Sequence, residues 1–233
     1  MERLHERLGP AAPAVIPVTP AAEPKGFDAR VRQPGLSAID ELIGRPPRLR
    51  RRGPRRKAVA RQPRHIPPGK FPPFWRETIP ELRAAYEGRC AYLAMYLEPA
   101  TGDSTVDHFI ARSRDWTQVY EWGNYRLCAG VINGTKGEQV VLDPFTVGPG
   151  WFALEFVGFQ VVPGPLAPST RVDEIENTII AVGLNAQECC AQREEYVRAL
   201  EAGEVTLAYV RRRAPFIADE LARQGRLGTP HSR

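Results

Sequence analysis

The sequence is poor in histidine, cysteine and uninterrupted apolar runs, and each shortage removes a class of explanation. No stretch approaches the roughly 18 consecutive apolar residues that cross a bilayer as a helix, so no membrane span is expected. The opening MERLHERLGP carries acids and has no apolar core of its own, which argues against a secretory signal. The four cysteines fall at 90, 128, 189 and 190 with no C-x-x-C pair, and adjacent Cys189 and Cys190 are badly spaced to bridge one another. A disulfide scaffold is therefore not expected, and a reducing, cytoplasmic setting is. Acids are missing from one place in particular. Residues 45 to 70, RPPRLRRRGPRRKAVARQPRHIPPGK, contain eleven Lys or Arg and no Asp or Glu.

That segment carries the basicity of the whole chain. The 233 residues hold 32 Lys and Arg against 27 Asp and Glu, a net charge of +5; without the eleven cations of the segment, 21 basic residues face 27 acidic ones, a net of −6. A Pro-spaced basic run attracts polyanions by releasing their condensed counterions, and needs no fold to do so. Arg50, Arg51, Arg52, Arg55, Arg56 and Lys57 are its densest part. Proline, 23 residues in all, is also crowded into the first 80 positions, where GPAAPAVIPVTPAAEP shows no apolar period. Residues 1–67 are accordingly expected to form a disordered, Pro-rich arm.

Order is expected from about Phe71. Thr78 and Glu81 have the spacing of a capping box and Gly88 that of a terminator, which predicts a short helix over 79–87. CAYLAMYLE and STVDHFI read as strands of a hairpin turning at Gly102, and QVVLDPF as a further strand. WFALEFVGFQVVPG reads as two strands folded back near Gly158. The stripe Val172, Ile175, Ile179, Val182 predicts a helix ended by Gly183. Asn185 and Glu188 suggest a second capping box, and EVTLAYVRRR and PFIADELARQG two more helices. The aromatics Trp151, Phe152, Phe156 and Phe159 suit a core better than a base-stacking platform. The fold class is α+β.

Asp107 and His108 sit side by side in STVDHFIARS, in a chain with only four histidines. Successive strand residues point to opposite faces, so such a pair can divide two tasks between them. Downstream, Asn124 precedes a short apolar run, and Asn133 and Lys136 are spaced to share a helix face.

VDHFIARS, then WGNYRL, then INGTKG resembles the HNH endonucleases, the His-Me finger or ββα-metal family, over residues 88 to 140. The resemblance implies a ββα-metal finger in a nuclease core of residues 68–145. The arm precedes that core, and residues 146–233 follow as a strand hairpin and helical extension packed on it. It also implies phosphodiester hydrolysis, with His108 as the base that activates water, Asn124 as the residue orienting the loop and the His108 ring, and Asp107 and Asn133 as ligands of one divalent cation. Hard oxygen ligands favour Mg²⁺ or Mn²⁺. Lys136 and Arg112 are then placed to contact phosphate. Many relatives brace the finger with a zinc held by two Cys pairs; here Cys90 and Cys128 each lack a partner in their own knuckle, so no structural zinc is expected.

Taken singly these residues have duller explanations: a surface ion pair, a satisfied core histidine, turn asparagines, a solvated lysine. Their order and spacing favour a soluble, metal-dependent endonuclease acting on nucleic acid, DNA in the first instance, with no membrane partner. A protein partner encoded nearby, and a process such as phage defence, suit the family. The competing expectation is a non-catalytic nucleic-acid-binding or assembly protein on a retained HNH scaffold.

Overall fold

The computed structural model describes residues 18–50 and 53–227. They form an α+β fold of seven α-helices and two small antiparallel sheets. Strands β1 (Ser104–His108) and β2 (Tyr125–Ala129) pair with Val106 opposite Leu127, Asp107 opposite Arg126 and His108 opposite Tyr125. Every residue of β2 is buried, which makes it the centre of this layer. The chain then enters a short helix spanning Gly130–Lys136 without a loop, and Gly137, at φ +51, stops it.

Helices α1 (Gln33–Leu42) and α2 (Ile79–Ala85) precede the sheet, which makes the helix after β2 α3. The second sheet, β3 (Phe152–Leu154) and β4 (Val161–Pro163), follows, and then α4 (Val172–Ala181), α5 (Gln187–Glu201), α6 (Leu207–Arg213) and α7 (Pro215–Arg223). Helix α4 buries Ile175 and Ile179, and Gly183 ends its run at φ +68. The reversal between β3 and β4 is organised by the Glu155 carboxylate, which accepts from the N–H groups of Val157, Gly158 and Gln160. The positive φ falls on Phe159, not on Gly158.

The expected disordered arm needs correction. Of residues 1–67, positions 1–17, 51 and 52 lie outside the described residues, and much of the remainder is built into the core. A π-helical stretch, Asp28–Arg32, runs into α1, and Phe27, Val31, Ile39 and Leu42 are buried. These lie on one stripe at helical spacing, and Pro34 falls where the π-helical stretch passes into α1. The Phe27 ring meets Trp122 and Tyr125 edge-on at 5.8 and 5.9 Å. Trp122 Nε1 donates to the Ala21 carbonyl at 2.8 Å, and Arg32 forks onto Glu121 and Glu23. Ile66, within the basic run, is buried as well.

Two expected strands are absent. Residues 90–98 fold into a knuckle in which Ala94 takes φ +52 and Cys90 N–H donates to Met95 O at 2.9 Å. Residues 139–145 run irregularly, with backbone partners supplied by side chains: Leu142 N–H donates to Thr178 Oγ1, and Phe145 N–H to Asp143. Neither expected capping box forms. Thr78 Oγ1 donates to the Trp75 carbonyl and Glu81 pairs with Arg30, while Asn185 brackets the backbone N–H and C=O of Val161. Glu81 and Asn185 are taken by tertiary partners, and Thr78 by a carbonyl of the preceding turn.

Candidate active site

A groove of about 700 Å³ passes the end of β1. Asp107, His108, Asn133 and Arg112 border it, together with Trp75 and Arg76. Three elements bring them there. Strand β1 delivers the Asp-His pair, α3 delivers Asn133 from its first turns, and the loop after β1 delivers Arg112.

His108 is 7% exposed. Its ring lies edge-on to Trp75 at 4.7 Å and to Tyr125 at 5.2 Å, and Nε2 is 2.9 Å from the Val119 carbonyl. A carbonyl only accepts, so Nε2 carries the proton and Nδ1 is left as the basic nitrogen. Burial, with the cations Arg112 and Lys136 adding to it, pushes the ring down to about 3, against a backbone hydrogen bond that works the other way. The imidazole is thus neutral at ordinary pH.

Asp107 is 2% exposed and engaged on both oxygens. Oδ1 accepts from Lys136 Nζ at 3.0 Å and Oδ2 from the Tyr92 hydroxyl at 2.6 Å. Burial first, then the negative charge of Asp107, raises the Tyr92 phenol well above its usual range, which keeps it a donor. Each carboxylate oxygen retains a second lone pair. The expectation that Lys136 meets phosphate is corrected here. Its side chain is fully buried, and Nζ also donates to the His108 carbonyl at 3.3 Å, so it neutralises Asp107 from inside.

Asn133 donates from Nδ2 to Thr105 Oγ1 at 3.0 Å and to the Val106 carbonyl at 3.3 Å. Its Oδ1 accepts no hydrogen bond among the described residues. Asn124 does not touch the imidazole. It is buried and clamps the loop that follows β1, accepting from Ile110 N–H at 2.7 Å and donating to the carbonyls of Ile110 and Gln118 at 3.0 Å. Since Val119 follows Gln118, Asn124 acts on His108 only through that loop. Arg112 donates to the Pro68 carbonyl at 3.0 Å with its guanidinium 5.0 Å from the Trp75 ring centre, so it reaches the groove as a restrained cation.

The basic run is partly spent internally. Arg48 pairs with Asp40 and Arg56 with Glu41, at 2.8 and 2.7 Å. Arg50, Arg55 and Lys57 are exposed, whereas Arg51 and Arg52 lie outside the described residues. Tyr92, Trp75, Val119 and Arg76 were not legible as site residues. Tyr92 lies in the Cys90 knuckle, 15 positions before the carboxylate it holds, and Val119 contributes a backbone atom, which leaves no mark on sequence.

The two core cysteines come together. Burial raises the Cys90 thiol, but hydrogen bonds from Cys128 and from the N–H groups of Ala129, Leu93 and Tyr92 outweigh it and leave it at about 7. Burial, and donation to Cys90, push Cys128 well up. Both are free thiols.

Among the described residues no helix is long and apolar enough to cross a membrane. No protein-family model, curated protein or solved structure matches the chain.

Proposed function

We propose that the groove is the active site of a metal-dependent HNH-type endonuclease, with β1, β2 and α3 as its ββα-metal finger. The observation that carries this reading is the state of His108: a neutral imidazole, tautomer fixed by the Val119 carbonyl, bordering a groove shared with Asp107 and Asn133. A base of this kind takes a proton from water attacking phosphorus. Its lowered pKa fits a site without substrate; a bound phosphodiester adds negative charge and raises it toward the working range.

The donor set is compatible with one divalent cation. Asp107 keeps a lone pair on each oxygen and Asn133 keeps Oδ1, while phosphate oxygens and water would complete the shell. Mg²⁺ or Mn²⁺ held there would neutralise the phosphodiester and its leaving oxygen. The protein's own residues do the rest. Asn124 fixes the loop that holds His108, Lys136 and Tyr92 fix Asp107, and Arg112 and Arg76 offer cations to the nucleic-acid backbone. Exposed Arg50, Arg55 and Lys57 add affinity without sequence preference.

The test is incubation of supercoiled plasmid with Mg²⁺ or Mn²⁺. Nicking is expected from the wild type, with a loss of at least about 100-fold in His108→Ala, the usual scale for a positioned base. Nicking that survives in His108→Ala removes His108 as the base. The commitment of both Asp107 oxygens favours one second reading, a nucleic-acid-binding protein on an inactive HNH scaffold. That reading expects salt-sensitive binding and no cleavage with any metal.

A further inference from the structure

A second cavity, of about 240 Å³, is walled in part by the Cys90 knuckle and shares no described lining residue with the groove. Its walls are mostly apolar, including Leu93, Leu142, Phe152, Val161 and Phe216. Among the described residues two arginines line it, Arg89 and Arg193, and no acid does.

Arg193 projects from α5 and is 1% exposed, yet it pairs with no carboxylate among the described residues. Its Nη1 donates to the Phe159 carbonyl at 3.1 Å and its Nη2 to the Leu184 carbonyl at 2.7 Å. Nη1 also reaches Cys190 Sγ at 3.9 Å. Nε makes no hydrogen bond among the described residues. Carbonyls satisfy donors but do not cancel a charge, and a guanidinium cannot escape by deprotonating. A buried cation without a counterion is among the costliest arrangements a core can hold. Arg89, nearer the surface, pairs among the described residues with Glu87 alone, at 3.0 Å, and Glu87 is 68% exposed.

We infer that this cavity is a binding site for a small amphipathic monocarboxylate, its aliphatic body on the apolar wall and its carboxylate between Arg89 and Arg193. The volume exceeds the roughly 150 Å³ that suffices for benzene in an apolar cavity. A planar carboxylate suits the guanidinium fork, and a single charge on an apolar body suits a wall that is otherwise greasy.

Octanoate is the probe, with octanol as its uncharged match, titrated below micellar concentration into the whole chain by calorimetry. Saturable one-to-one binding of octanoate is expected, with octanol at least about tenfold weaker, the scale of one charge-assisted hydrogen-bond pair. Arg89→Gln, at a partly exposed position, should weaken octanoate about tenfold and leave octanol unchanged. Arg193→Gln should abolish the preference for the acid. Since its lost donors also hold the Phe159 and Leu184 carbonyls, the Arg89 variant carries the test if Arg193→Gln does not fold. No saturable binding of octanoate, equal binding of octanol, or an unchanged affinity in Arg89→Gln would each overturn the assignment.

Discussion

Lys136 and Asp107 stand 3.0 Å apart with side chains 0% and 2% exposed. At that burial neither charge tolerates the loss of the other. Lys136→Met leaves a buried carboxylate held by Tyr92 alone and should cost about 3–5 kcal/mol of stability in urea unfolding. Adding Asp107→Asn should restore much of it. If the two changes instead add, the pair is not coupled and its place in the site must be reconsidered. The same pair shows what a residue pattern reveals and what it hides. The spacing Asn133-x-x-Lys136 put both on one face of α3, and both hydrogen-bond β1 from it, but which of the two would be buried was not legible. Asn133 reaches the groove and Lys136 the interior, because the acid opposite Lys136 is itself buried. Tyr92 left no signal, since its role depends on a knuckle shape that the sequence suggested was a strand.

At the scale of elements, legibility followed apolar period. Helix α4, the β3–β4 reversal and the strand carrying Asp107 and His108 could all be read from alternation or helical stripes. The irregular stretches at 90–98 and 139–145 could not, because their hydrogen bonds go to distant side chains such as Thr178. Helix α1 was missed for a different reason: the prolines on either side of it outweighed a short stripe that needs Trp122 and Tyr125 to be buried. Close contact makes that helix testable. A Cβ on Gly35 would lie 2.3 Å from the Tyr120 ring, whereas one on Gly123 meets nothing within 4 Å. Gly35→Ala should therefore lose about 1–3 kcal/mol by overpacking, and Gly123→Ala should stay within about 0.5 kcal/mol of wild type. Equal melting temperatures for the two would show that α1 does not dock against Tyr120.

For the molecule as a whole, the segment ahead of residue 68 is structural as well as basic. Phe27, Val31, Ile39, Leu42 and Ile66 are all buried. At about 1.5–3 kcal/mol each, five such side chains reach the 5–15 kcal/mol that holds a typical domain together. A chain beginning at Pro68 should accordingly lose its cooperative thermal transition in circular dichroism. A sharp transition within a few degrees of the full chain would return the segment to the status of an appendage. Composition alone pointed the other way, because proline and arginine dominate the count while a handful of apolar residues decide the packing.

The bond from Trp122 Nε1 to the Ala21 carbonyl spans 101 positions. At about 5–20 residues per second of synthesis, residues 21–42 leave the ribosome roughly 5–20 s before their partners exist. This segment has to wait for partners made later, and in the interval its apolar stripe and its cations are exposed together.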